Sequence, residues 1–259
     1  MSKYFDICVN IASDRFADDA SLVISAAQSC GVQHIALTGS SLPSTQKAIN
    51  MAKQHPPCIA TCGIHPHDAS SFSTSTARKL EVLSSASVVK AIGECGLDYN
   101  RMYSTIEDQH KCFDWHIELA QKTKLPLFLH ERDAHGDFLK ALDKYDGPAV
   151  VHCFTGGPDQ ALAYLERGFY IGITGWVCDE RRNQDLIKAL SVIPLSKLMI
   201  ETDAPWLTPR TIRPKPKKNR NTPSNLPHIA NFIAERMQVS PTLFAEKTTE
   251  NALNFFGLN

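Results

Sequence analysis

The sequence predicts an α/β fold in which eight parallel strands alternate with helices, a (β/α)8 TIM barrel. Short apolar runs alternate with helix-like stretches along the whole chain. The runs are nearly continuous, as is typical of parallel strands that are covered on both faces. Most of them end in polar residues, and such barrels collect the polar groups of a site at the carboxyl ends of their strands. An open, doubly wound sheet is the alternative.

Length and composition restrict the class of protein further. A chain of 259 residues fits either one large domain or two small ones. No low-complexity segment or second domain shows in the sequence, so we expect one domain over residues 1–259. Its 27 basic and 27 acidic residues cancel, so no overall field attracts a polyanion or an acidic membrane. Eight cysteines occur without paired C-x-x-C motifs, and no apolar run approaches the roughly 18 residues of a membrane span. We therefore expect a soluble protein in the reducing cytoplasm. A monomer is expected as well.

The strands follow one another at intervals that each hold one βα unit. The first strand is YFDICVNI (4–11), and the helical pattern from Phe16 ends at Gly31, a usual helix stop. Further helices are expected at 46–53, 106–122, 138–142, 159–167, 185–190, 227–236 and 242–255. The strands are expected to end near Asn10, Gly39, His65, Glu94, His130, His152, Thr174 and Asp203.

Five of the apolar runs break into histidine, glutamate or aspartate. Glu94 is the anchor, because it follows an apolar run and lies between Gly93 and Gly96, where we expect the strand to end. The runs together carry His65, His67, Glu94, His130, His152 and Asp203.

If these groups gathered at one end of a barrel without a cation, several polar groups would need partners and two carboxylates would repel each other. The pattern therefore predicts a metal site. Its mixed imidazole and carboxylate groups suit Zn²⁺, Mn²⁺ or iron better than Mg²⁺. A metal pair bridged by Glu94 would activate water to hydrolyse either a phosphodiester or an amide.

A basic loop after the eighth strand indicates the substrate. Residues 210–220 contain six basic side chains and no acid, and Arg181 and Arg182 follow the seventh strand. Beside a metal site, contacts with phosphate are a better interpretation than a solvated loop. Arg132 and Asp133 follow His130 closely and are expected to orient ligands.

The motifs GIHPH, AIGECGLD, HERDA, HCFTG, YIGITGWVCDERR and ETDAPWL together are highly specific. With them, the chain resembles the TatD family of metal-dependent DNases over nearly its whole length. The resemblance implies an amidohydrolase-like barrel in the cytoplasm. It also implies a Mg²⁺-dependent 3′ to 5′ exonuclease that prefers single-stranded ends and has a part in DNA repair.

The resemblance also implies residue roles. Glu94 would be the bridging carboxylate, with His130, His152 and Asp203 as further metal ligands. His65 would face the substrate and act in catalysis with Glu94 and Asp203. We also assign Asp203 as the general base for the attacking water, because a carboxylate beside a divalent cation stays ionised and can accept a proton.

The start of the chain departs from the pattern of the family. Many members begin with D-x-H-x-H, whereas this chain has Asp6, Cys8 and Asn10. The TatD branch shares the departure, so it does not indicate an inactive copy. It leaves one or two ions open and favours labile Mg²⁺, with Mn²⁺ or Zn²⁺ as alternatives.

Three functions remain in competition at this point. The first is a metal-dependent nuclease acting at 3′ ends of single-stranded DNA or RNA. The second is an amide or ester hydrolase, such as a deacylase acting on aminoacyl-tRNA, and the third is a non-catalytic nucleic-acid-binding protein. The expected substrate contacts are His65, His67, Arg132, Arg181, Arg182, Lys217, Lys218 and Arg220.

Overall fold

The computed structural model describes residues 2–259 and contains eight strands. The strands are β1 (Tyr4–Val9), β2 (Val32–Leu37), β3 (Cys58–Cys62), β4 (Val89–Asp98), β5 (Leu127–Arg132), β6 (Ala149–Val151), β7 (Tyr170–Ile173) and β8 (Leu198–Ile200). They form one sheet whose order follows the sequence from β1 to β8.

Nine α-helices are found in the described part of the chain. They are α1 (Ala20–Ser29), α2 (Leu42–Gln54), α3 (Thr74–Ser84), α4 (Ile106–Thr123), α5 (His135–Ala141), α6 (Pro158–Glu166), α7 (Gln184–Ala189), α8 (Leu226–Arg236) and α9 (Pro241–Phe255). The regular alternation and the sheet order confirm the predicted (β/α)8 fold class. Within residues 2–259, no helix has the length and apolarity needed to cross a membrane.

The chain divides into two compact units, of which one is Leu37–His152. In this unit β4 pairs in parallel with both β3 and β5, and β5 pairs with β6. The long helix α4 buries one face, and its Phe113 stacks on Phe138 of α5 with ring centroids 5.4 Å apart. The same unit contains β4 and β5, which carry Glu94, Asp98 and His130 of the candidate site.

The other unit combines residues up to Ala36 with Cys153–Asn259. Strand β7 pairs in parallel with β8, and an isolated parallel bridge joins Val9 to Ala204. Ser240 precedes helix α9, and its side chain accepts a hydrogen bond from the Leu243 N–H, as is typical of an N-cap. The bridge fixes the residues that follow β8 beside the end of β1.

One helix, α3, is missing from the sequence analysis. Its side chains hide the helical period, because only Leu80 and Ser84 are buried while Val82 is 72% exposed. The helix is instead capped locally, where Ser73 accepts a hydrogen bond from the Thr76 N–H at 3.2 Å. The predicted helix 46–53 also begins earlier, at Leu42, after an N-cap at Ser41.

Candidate active site

The centre of the candidate site is one carboxylate oxygen in the unit Leu37–His152. Oε1 of Glu94 lies 2.8 Å from Nε2 of His152, 3.3 Å from Nδ1 of His130 and 3.3 Å from Nε2 of His65. Glu94 is 5% exposed. Burial alone would raise the pKa of Glu94, but the nearby imidazoles, led by His65 and His152, hold it well below its usual value.

Glu94 does not end its strand, which is a correction to the sequence analysis. It lies inside β4, which continues to Asp98, and the register with β5 shifts between Ile92 and Cys95. The flanking glycines allow the backbones of β4 and β5 to approach each other closely, and they do not form a turn. A Cβ on Gly93 would lie 2.1 Å from the Phe128 carbonyl oxygen, and Gly96 meets β5 in the same way. The irregularity directs the Glu94 side chain to the histidines.

Asp98, at the end of β4, is a site residue that the sequence analysis missed. Its Oδ2 lies 2.8 Å from Nε2 of His67 and 3.2 Å from Nε2 of His130. Burial raises the pKa of Asp98, but the hydrogen bonds from His130 and His67 outweigh it and place the pKa far below the usual value. The only sequence signal was its place in AIGECGLD, after a strand that was expected to have ended.

His130 therefore lies between two carboxylates, with one ring nitrogen near each. Burial lowers the pKa of His130, but hydrogen bonds with Asp98 and Glu94 more than compensate and raise it. The two acids favour positive charge at this position, as an imidazolium or as a metal cation. Asp98 can also fix the ring orientation of a metal-binding histidine.

His65 is held as a neutral ring. Its Nδ1 accepts a hydrogen bond from the His67 N–H at 3.0 Å, so the proton of the neutral form lies on Nε2, which faces Glu94. Burial lowers the pKa of His65 to about 4, despite the opposing effect of Glu94. This tautomer favours His65 as a hydrogen-bond donor rather than as a metal ligand.

The donor atoms at this centre fit a metal ion. One atom each from His65, Glu94 and His130 lies within 4.8 Å of the others, and His152 contacts the same Glu94 oxygen. Buried carboxylate and imidazole groups in this arrangement are typical ligands of divalent cations. The predicted ligands Glu94, His130 and His152 are thus brought together within one unit.

Asp203, the fourth predicted ligand, belongs to the other unit and lies three residues beyond the end of β8. Its Oδ1 accepts a hydrogen bond from Nδ2 of Asn10 at 2.8 Å and lies 3.5 Å from Sγ of Cys8. The two residues that replace the histidines of D-x-H-x-H therefore hold this carboxylate. The backbone N–H of Asp203 also bonds to the Cys8 carbonyl oxygen at 3.0 Å.

Asp6, in β1, supports the same segment. It is fully buried, and its carboxylate accepts hydrogen bonds from the Thr202 N–H at 2.9 Å and the Thr202 hydroxyl at 2.6 Å. Burial raises the pKa of Asp6 to about 8, although the hydrogen bonds from Thr202 act in the opposite direction. Asp6 thus fixes the residue next to Asp203.

The predicted substrate contacts fall into different environments. His67 is partly exposed and bonds to Asp98, and Arg132 ends β5 in register with Asp98. Lys217 and Lys218 are exposed on a short 3-10 turn. Arg220 is held by a bidentate pair with Asp19, at 2.7 and 2.9 Å.

Arg181 and Arg182 both bind the carboxylate of Asp179, which the sequence analysis did not single out. Asp133, expected beside Arg132 as an orienting group, accepts a hydrogen bond from the side chain of Asn100 at 2.8 Å. Arg181 and Arg182, which follow β7, are thus held together by one buried carboxylate and are not independent surface charges.

Comparison with known proteins identifies the family. The model of the TatD related DNase family matches residues 5–257. The protein named 3′-5′ ssDNA/RNA exonuclease TatD in Salmonella typhimurium is 44% identical over 255 residues, covering 97% of this chain and 98% of the relative. Its namesake in Escherichia coli K12 is 44% identical over 258 residues, covering 98% and 99%.

The fold agrees with this relationship. The crystal structure of a TatD family hydrolase from Entamoeba histolytica matches with a TM-score of 0.90 and 26% identity, covering 100% of this chain and 99% of that one. The chain belongs to the TatD related DNase family.

Proposed function

We propose that this protein is a metal-dependent exonuclease that hydrolyses phosphodiester bonds of single-stranded DNA or RNA from the 3′ end. The convergence of His130 and His152 on the Glu94 carboxylate carries the proposal, since these groups are typical donors of a hydrolytic metal site. His65 lies beside the same oxygen as a hydrogen-bond donor. Family membership and the names of the two exonuclease relatives support the choice of a phosphodiester substrate.

In this proposal Glu94, His130, His152 and Asp203 hold the metal. A bound divalent cation would polarise the phosphoryl oxygens and make a water molecule more acidic. We propose Mg²⁺ as the ion, with Mn²⁺ and Zn²⁺ as alternatives and one or two ions per chain. A metal titration of hydrolysis, beginning from protein treated with EDTA, distinguishes these ions.

The protein's own groups account for the remaining steps. Asp203, held by Asn10, is proposed to accept the proton of the attacking water. His65, neutral and with its proton on Nε2, can donate a hydrogen bond to an anionic oxygen of the substrate. Asp98 keeps His130 in one orientation while the reaction proceeds.

Release of mononucleotides from single-stranded oligonucleotides carrying either a 3′ or a 5′ label tests the activity and its direction. The Glu94→Gln variant removes the central charge but keeps the side-chain size, so we expect turnover to fall by about a hundredfold or more. Glu118→Gln, at an exposed position of α4, is the matched control and should leave turnover unchanged. Full hydrolysis by Glu94→Gln in EDTA would refute the proposed mechanism.

The same preparation separates the other candidate functions. Release of amino acid from aminoacyl-tRNA, without release of nucleotides, would indicate the deacylase. Metal-independent binding of oligonucleotides, with no hydrolysis under any metal, would indicate the non-catalytic binding protein. Four expectations stay predictions: a single domain over residues 1–259, a monomeric state, a cytoplasmic location and a part in DNA repair. Light scattering of the purified protein tests the monomeric state.

A further inference from the structure

A pocket of about 260 Å³ lies between the loop that follows β7 and the loop that follows β8. The loops belong to the same unit. The polar and aromatic residues that matter in its lining are Trp176, Asp179, Arg181, Arg182, Arg210 and Lys215. The pocket therefore combines four cationic side chains with a single acid.

Asp179 organises three of these cations. Nε and Nη2 of Arg181 bind its two carboxylate oxygens at 2.8 and 2.7 Å, and Nε of Arg182 binds at 3.0 Å. Nε of Arg210 lies 3.4 Å from the same carboxylate. The hydrogen bonds with Arg181 outweigh burial and hold the pKa of Asp179 well below its usual range.

Exposure differs sharply between the acid and the arginines. The side chain of Asp179 is 5% exposed, whereas those of Arg181, Arg182 and Arg210 are 58%, 50% and 42% exposed. A buried carboxylate thus holds three guanidinium groups that still face solvent. An isolated ion pair on the surface would need only one cation and would contribute little to the stability of the fold.

The charge of the group is positive. Glu180 adds a second acid, 3.6 Å from Arg210, so four cations against two carboxylates leave a charge of +2. An arginine has five N–H donors, and Asp179 takes two of those on Arg181. Several exposed donors in fixed planar groups match the oxygens of a phosphate group.

The pocket is also held in shape before any ligand binds. A Cβ on Gly175 would lie 2.4 Å from the Leu207 carbonyl oxygen, so the two loops are in direct contact. The guanidinium carbon of Arg182 lies 3.8 Å from the ring centre of Trp176. Buried Asn183 donates to the Val177 carbonyl oxygen at 2.6 Å. In a preformed site, ligand binding costs little conformational entropy, because the side chains are already ordered.

We propose that this pocket binds a phosphate group of single-stranded nucleic acid, and that Asp179 is the positioning residue that sets the arginines for it. The identity of the ligand rests on the proposed function, but the binding itself does not require hydrolysis. Removal of the acid makes the pocket more positive and nevertheless weakens the binding of a polyanion, because the arginines lose the group that positions them.

The experiment measures binding of a fluorescein-labelled oligothymidylate by anisotropy, with metal removed by EDTA. Asp179→Asn should weaken binding by about tenfold, which corresponds to about 1.4 kcal/mol. Asp185→Asn is the matched control, because Asp185 is an exposed acid of the same unit that pairs with Lys188. It should leave affinity unchanged or slightly higher, as simple charge predicts.

A second variant keeps the inference testable if Asp179→Asn does not fold. Arg181→Gln with Arg210→Gln retains the buried acid, and it should weaken binding and lower the salt slope by roughly 0.7 for each phosphate that the pocket no longer neutralises. Wild-type affinity and salt slope in this double variant, or tighter binding by folded Asp179→Asn, would overturn the inference. Hydrolysis of the same oligonucleotide with Mg²⁺ tests the proposed function separately, since either result is compatible with the binding data.

Discussion

His116 links the candidate active site to α4, and its titration should control stability in mild acid. The side chain is fully buried. Its Nε2 accepts a hydrogen bond from the Ile64 N–H at 3.0 Å, and its Nδ1–H donates to the Cys112 carbonyl oxygen at 2.7 Å. Ile64 directly precedes His65, so this neutral imidazole helps to place His65.

The magnitude follows from the shifted pKa. Burial lowers the pKa of His116 from 6.5 to about 4, against the opposing hydrogen bond to Cys112. Between these values the unfolded chain binds a proton that the folded chain does not, so stability falls as the pH decreases from 6.5 to 4. At about 1.4 kcal/mol per pH unit, the protonation of His116 lowers the free energy of unfolding by about 3 kcal/mol over this window.

His116→Gln tests this reasoning. The glutamine amide can accept a hydrogen bond from the Ile64 N–H but does not titrate. Because the hydrogen bond to the Cys112 carbonyl oxygen is lost, the free energy of unfolding should be about 1 kcal/mol lower at pH 7. As the pH falls to 4, wild type should lose about 3 kcal/mol more than the variant does. Urea unfolding followed by tryptophan fluorescence at a series of pH values, in EDTA, measures the difference.

His55→Gln, at the partly exposed end of α2, is the control and should give a curve parallel to wild type. If wild type and His116→Gln also gave parallel curves between pH 7 and pH 4, then His116 would not be the buried neutral base described here.

Three further predictions concern the proposed nuclease. Asp98→Asn should lower turnover or Mg²⁺ affinity by about tenfold to a hundredfold, because His130 loses its orienting carboxylate; an unchanged metal titration would refute this. Asp203→Asn should lower turnover by about a hundredfold or more with little change in oligonucleotide binding, whereas joint loss of both would make it mainly a structural ligand. Reversing the charges of Lys217 and Lys218 should lower the salt slope of binding by roughly 0.7 for each phosphate no longer neutralised, at unchanged saturating turnover. An unchanged slope would indicate that the loop is a solvated surface without phosphate contacts.

Strand positions could be predicted from the sequence because buried parallel strands are continuous apolar runs. The error at Glu94 came from its glycines. A glycine beside a polar residue is a frequent turn signal, but Gly93 and Gly96 serve the close packing of β4 against β5. The strand therefore continues, and its last residue, Asp98, joins the site.

Chemically active side chains could also be predicted, but their partners could not. Histidines after apolar runs stand out locally, whereas Asp98 is found only through its contacts with His67 and His130. Asp179 is similar, because a lone acid beside two arginines resembles ordinary surface charge. Only the difference between its burial and the exposure of the arginines reveals its role.

The departure at the start of the chain gains a physical meaning in the same way. From the sequence, Cys8 and Asn10 count as two lost imidazoles, which places a second metal in doubt. In the structure both donate to Asp203, and the Asn10 amide does so at 2.8 Å without adding charge. A neutral donor fixes the carboxylate and leaves its negative charge for a cation or a proton. The first strand therefore supports the group that is proposed to activate water, whether one ion binds or two.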